Sequence, residues 1–117
     1  MINAVFCKTQ FSGPVSFSFT GHADSGVYGH DLICAAISAM CALTVNTLDE
    51  VFRIGGKIEN NDGGFLSYTL PAGLNAERVR TASGIIAGLM LQTQDYSLQY
   101  PKNIVVKIKT IPDYFGI

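Results

Sequence analysis

Between Val15 and Arg53 the spacing of apolar residues changes once, and that change limits what the chain can fold into. From Val15 to Thr20 the residues alternate, with Val15, Phe17 and Phe19 on one side and Ser16, Ser18 and Thr20 on the other. This is the pattern of a strand that buries one face. From Leu32 to about Arg53 the positions Ile33, Ile37, Met40, Leu48 and Val51, with Thr44 among them, recur at helical spacing. The interval Ala23–His30 contains Gly26 and Gly29 and reads as a loop. A strand, a loop and a long one-faced helix need a shared core, so the rest of the chain must supply more sheet.

It does so on both sides. Asn3–Lys8 reads as a weak strand, and Ser12-Gly13-Pro14 is turn chemistry before Val15, so the two strands make a hairpin. Gly55-Gly56 ends the first helix. Lys57–Asn60 and Phe65–Leu70 flank Asn61-Asp62-Gly63-Gly64, the signature of a second hairpin. After Pro71 and Gly73, Asn75 caps a helix over about Ala76–Tyr96, with Val79, Ala82, Ile86, Leu89, Met90 and Thr93 as its buried face. Ile104–Lys109 is the last strand. The order ββαββαβ predicts an α+β fold in one domain, 1–117: one mixed or antiparallel sheet with two long helices packed against it. The tail Ile111–Ile117, with Tyr114 and Phe115, docks either on the body or on a second copy.

The strand–loop–helix unit also carries the chemistry. By the alternation, His22 falls on the polar side at the strand's end. Asp31 is a favourable N-cap, which puts Cys34 at the third helical position. There, unpaired backbone N–H groups and the helix dipole favour thiolate over thiol, and the same N–H groups suit the oxygen of a tetrahedral intermediate. Cys34, Ser38, Cys41 and Val45 form a stripe beside the buried face, so Cys34 sits at its edge. A histidine and a cysteine so arranged fit a nucleophile with its proton acceptor. Ser38, one turn along, is a possible supporting residue. The loop residues Ala23, Asp24, Ser25, Gly26, Val27, Tyr28, Gly29 and His30 would cover a substrate. Cys7, on a strand, and Cys41, inside the helix, read as buried, inert thiols.

Composition excludes several alternatives. In 117 residues, 48% are hydrophobic, 15% are charged and the net charge is −1, so nothing electrostatic favours nucleic acid. Three scattered cysteines make no disulfide framework, and His22, His30, Asp31 and Cys34 lack the paired short spacings of a structural zinc site. No metal and no cofactor are expected. The N-terminus lacks the pattern of a signal peptide, and the apolar run Ile85–Leu91 is too short to span a bilayer, so a cytoplasmic location without membrane attachment is expected. Gly84 and Gly88 lie one turn apart on the far side of the second helix. Because glycine costs a helix interior about 0.5–1 kcal/mol relative to alanine, they point to a close contact, and so to a helix-mediated homodimer.

The pattern Gly21-His22-Ala23, Gly29, Asp31, Cys34-Ala35-Ala36 and Ser38 resembles the signature of the ribosomal-processing cysteine protease Prp family. The resemblance implies a small bacterial endopeptidase that removes a short N-terminal extension from a large-subunit ribosomal protein precursor, its peptide substrate. It carries the catalytic cysteine onto Cys34 and the catalytic histidine onto His22. Asp31 is part of the match, and Asp24 and Asp31 are the candidates for a third residue that orients the histidine. Two other classes remain open at this point: a non-catalytic dimeric ribosome-assembly module, and a thiol-based redox or acyl-transfer enzyme.

Overall fold

The computed structural model describes residues 1–21, 28–61 and 64–112, with the side chains of 28–31 left undescribed. Its elements are β1 (Ile2–Thr9), β2 (Pro14–Thr20), α1 (Tyr28–Asn46), a π-helical turn (Thr47–Val51), β3 (Lys57–Asn61), β4 (Phe65–Thr69), α2 (Ala76–Gln99) and β5 (Ile104–Ile111). This is the expected α+β order. The five strands form one mixed sheet in the order β3-β4-β2-β1-β5. Only the β1–β5 pair is parallel; the other three are antiparallel.

The sheet buries one face. Alternation along β1 and β2 sends Ile2, Ala4, Phe6, Val15, Phe17 and Phe19 into the core, where Tyr68 of β4 and Ile104 of β5 join them. Each helix crosses between parallel, non-adjacent strands, one toward each edge of the sheet. Crossovers of one hand then put both helices on the same face. Ile33, Ile37, Cys41 and Leu48 from the first helical region, and Ala82, Ile86 and Leu89 from α2, complete the same cluster. Its aromatic centre includes Phe17 stacked on Tyr68 at 5.7 Å and Phe6 edge-on to Phe19 at 5.9 Å. Such pairs contribute about 0.5–1.5 kcal/mol each beyond the area they bury.

α2 begins as its sequence requires: the Asn75 side chain accepts a 2.8 Å hydrogen bond from the Arg78 amide. Ala82, Ile86, Leu89 and Thr93 are buried, and Val79 and Met90 are partly so. Gly84 and Gly88 have open space where a Cβ would stand, so the close contact expected of them does not occur within the described chain.

α1 departs from expectation at both ends. It starts at Tyr28, so Tyr28, Gly29 and His30 belong to the helix and not to a loop, and Asp31 is inside it and not its N-cap. Extending a formed helix adds one hydrogen bond per residue fixed, which offsets the cost of a single glycine such as Gly29. At the other end Phe52 N–H donates to Thr47 O at 3.1 Å, a spacing of five residues. Thr44 and Thr47 have just before bonded back to the carbonyls of Met40 and Leu43, each at 2.7 Å. The wider turn shifts the helical phase. Leu48 stays fully buried while Val51, expected on the buried face, is 68% exposed.

Leu32–Val51 is also long and apolar enough to cross a membrane by length and composition, which the shorter run Ile85–Leu91 did not reveal. Of that span 28% is buried inside the fold, Ile33, Ile37, Cys41 and Leu48 among it.

Candidate active site

α1 and the β3–β4 hairpin leave a groove of about 410 Å³ between them. Its helical wall is the stripe Cys34, Ser38, Cys41 and Val45; its opposite wall is Ile58 and Asn60 of β3 with Phe65 and Leu66 of β4. Ile2, Phe19 and Gly21 complete it, and none of its described lining residues is charged. The hairpin residues were missed from the sequence. Their signal is parity: Ile58 pairs with the buried Tyr68, and Asn60 with Leu66, so both lie on the inward side of β3.

Gly21 fixes where β2 hands the chain on. Its φ of 89° is a left-handed conformation, and a Cβ there would overlap the carbonyl oxygen of Met1. His22 is the next residue. It and the loop residues Ala23–Val27 lie outside the described residues.

Cys34 is half-buried and opens on this groove, at the edge of the buried face as the stripe predicts. It is the seventh residue of α1, not the third. Only the first four N–H groups of a helix lack intrahelical partners, so the Cys34 amide is past them and the expected oxyanion site at its own N–H is withdrawn. Ser38, exposed and one turn further, lines the same groove. Cys41 is 3% exposed, and burial pushes its thiol up to about 12. It is buried, as expected, and stays protonated. Cys7 is half-buried, contrary to expectation. It lies on the sheet's uncovered face, between Ser16 of β2 and Lys109 of β5. Among the described residues no group of three metal-ligating side chains comes together.

Beyond the groove, the end of the first helical region is tied to β3 and β4 by a half-buried network. The Tyr68 hydroxyl donates to Asp49 Oδ1 at 2.7 Å, and Asp49 Oδ1 also accepts from the Gly55 and Gly56 amides at 3.2 and 3.3 Å. A Cβ at Gly56 would overlap the Tyr68 ring, so only glycine fits there. Burial, then the Asp49 carboxylate, push the Tyr68 hydroxyl above its ordinary range. Arg78 Nη2 donates to the carbonyls of Phe52 and Arg53 at 3.0 and 2.8 Å, binding the end of the first helical region to α2. These bonds tie the start of β3 to the helix.

Comparison with known proteins adds the chemistry. The ribosomal processing cysteine protease Prp of Bacillus subtilis is 28% identical over 112 residues, covering 95% of this chain and all of its own. The crystal structure of SMU.848 from Streptococcus mutans superposes with a TM-score of 0.76 at 29% identity, over 95% of this chain and 96% of the other. That of an essential ribosomal processing protease Prp from S. aureus, in complex with a covalently linked product peptide, gives 0.78 at 27%, over 93% and 100%. The family model described as cysteine protease Prp matches residues 1–105, and the chain therefore belongs to the cysteine protease Prp family.

Proposed function

We propose that this protein removes a short N-terminal extension from a large-subunit ribosomal protein precursor, with Cys34 as nucleophile and His22 as its proton carrier. The observation that carries this reading is the half-buried Cys34 thiol opening on a groove that also contains Gly21, the residue before His22. The similarity to ribosomal processing proteases of Bacillus subtilis and S. aureus, together with the motif around Cys34, supports the substrate.

In this mechanism His22 takes the proton of the Cys34 thiol as Sγ attacks the scissile carbonyl carbon. The tetrahedral intermediate collapses with cleavage of the C–N bond, and His22 gives the proton to the departing amine. Water then attacks the thioester carbonyl, releases the acid and restores the thiol. The uncharged groove suits a stretch of substrate without charged side chains. Asp31, three residues before Cys34, and Ser38, four after it and on the groove, are proposed as supporting residues. The reading places the protein in the reducing cytoplasm, where a free thiol persists.

The test is incubation of wild type, Cys34→Ala and His22→Ala with the same organism's ribosomal protein precursor, with the cut read by mass spectrometry. Cleavage by wild type alone is expected. Equal cleavage by Cys34→Ala, or none by a folded wild type that binds the precursor, contradicts the reading. We also propose a homodimer through α2, because Gly84 and Gly88 are open to a close approach and the nearby Leu91 is 63% exposed. Light scattering at micromolar concentration should report a dimer; a monomer sinks that part.

A further inference from the structure

β3 is an edge strand of the sheet, and two of its residues, Ile58 and Asn60, line the groove that holds Cys34. The other edge strand, β5, has no residue there. An edge strand leaves half of its main-chain polar groups without a neighbouring strand, and register decides which half. The Leu70 amide donates to the Val15 carbonyl at 3.0 Å, and this pair continues the β2–β4 register. Main-chain groups of successive residues point to opposite sides of a strand, so Tyr68 and Leu66 also bond toward β2, while Thr69, Ser67 and Phe65 bond toward β3. Their partners on β3 are Lys57, Glu59 and Asn61. The N–H and C=O groups of Ile58 and Asn60 therefore face the open edge, and among the described residues no other main-chain group takes them up.

The side chains follow the same parity. The two residues with free main-chain groups are the two whose side chains turn inward to the groove. The charges on β3, Lys57 and Glu59, lie on the opposite face and pair with each other at 3.4 Å. Asn61, Phe65 and Thr20 stand in one row across the sheet, and Gly21 comes next. The open edge thus runs along the groove toward Gly21, which lines it together with Cys34. Free edge groups beside a groove fit an extended peptide, held by main-chain bonds, with alternate side chains entering the groove.

Resting on the peptide substrate proposed above, we infer that a segment of the substrate beside the scissile bond adds to the sheet as a strand along β3, its main chain bonded to Ile58 and Asn60. In an antiparallel pairing the residue opposite each of them exchanges both of its main-chain hydrogen bonds and turns its side chain to the groove side. The residue between, opposite Glu59, turns outward beside the Lys57–Glu59 pair. Selection therefore falls on substrate positions that alternate: those facing the groove exclude charged side chains, and the position between them tolerates charge.

The test uses a synthetic peptide spanning the precursor's cleavage site. Added to Cys34→Ala, which should bind it without turnover, the peptide should slow amide hydrogen exchange at Ile58 and Asn60 by about tenfold, read residue by residue by NMR. Lys57, Glu59 and Asn61, whose amides already bond to β4, should change little. With wild type, N-methylation of the peptide main chain, one residue at a time and away from the scissile bond, should lower kcat/KM by about tenfold at alternate positions and by less than about twofold between them. Cleavage of the peptide with no change at Ile58 and Asn60, or N-methyl losses that do not alternate, overturns the inference and leaves the protease reading standing. A folded wild type that neither binds nor cleaves the peptide overturns both.

Discussion

Cys34 and Cys41 are seven residues apart on α1 and line the same groove, yet they are buried to different depths. Cys41 is 3% exposed in the core, and loss of hydration holds its proton. Cys34 is half-buried beside Gly21, where the strand that leads to His22 ends. The difference comes from helix phase: two turns rotate the side chain by about 20° relative to a repeat of seven residues. With that offset, Cys41 lies in the core and Cys34 at the rim of the groove. A cysteine's residue type and its helix therefore say little about its burial; its place relative to the buried face says much.

The largest expected effect breaks the pair apart directly. Cys34→Ala should lower kcat/KM for precursor cleavage by about 10⁴-fold or more with little change in thermal stability. Cys41→Ala should do the reverse, losing about 1–2 kcal/mol in chemical denaturation while cleavage stays within about threefold. Equal losses of activity in the two variants would show that the thiols are not distinguished by burial.

A smaller effect sharpens the comparison through pH. The Cys41 thiol titrates near 9.0 when unfolded and at about 12 in the fold, so the native state keeps a proton that the unfolded state releases. Its contribution to stability is whole below pH 9 and is lost as pH rises from there toward 12. The Tyr68 hydroxyl, raised by burial and by Asp49, adds a loss of the same sign beginning near pH 10. Urea midpoints measured from pH 8 to 11 should fall, and the fall should be shallower in Cys41→Ala. A slope identical to wild type in that variant would mean that Cys41 is not desolvated.

Much of this was legible in the sequence because it rests on local rules. Alternation at Val15, Phe17 and Phe19 gave the inward face of β2, and Asn75 marked the start of α2. The stripe Cys34–Ser38–Cys41–Val45 was readable as one line along a helix and proved to be one wall of the groove. What escaped was long-range or depended on a local irregularity. Strand order is decided by two crossovers that no window of residues contains. Asp49 reads as a solvated charge, but its carboxylate binds Tyr68, nineteen residues away, and two glycine amides. The π-helical turn moved Val51 out of the core by a phase shift that a fixed helical period does not contain. The start of α1 was expected at Leu32, four residues after Tyr28 where the described helix begins, because a good cap residue was taken as a boundary where an existing helix simply continued. That error moved Cys34 away from the free amides assigned to it but left it on the groove.

The proposed mechanism stands or falls on the groove thiol forming the covalent intermediate. The direct measurement is acid quench of wild type with a peptide spanning the precursor's cleavage site, followed by digestion and mass spectrometry of the cysteine-containing fragments. The expected product is a thioester carrying the N-terminal part of the peptide on Cys34, absent from Cys7 and Cys41, and accumulating when His22 is intact. An acyl group on either other cysteine, or steady cleavage with Cys34 unmodified and replaceable by alanine, would contradict it.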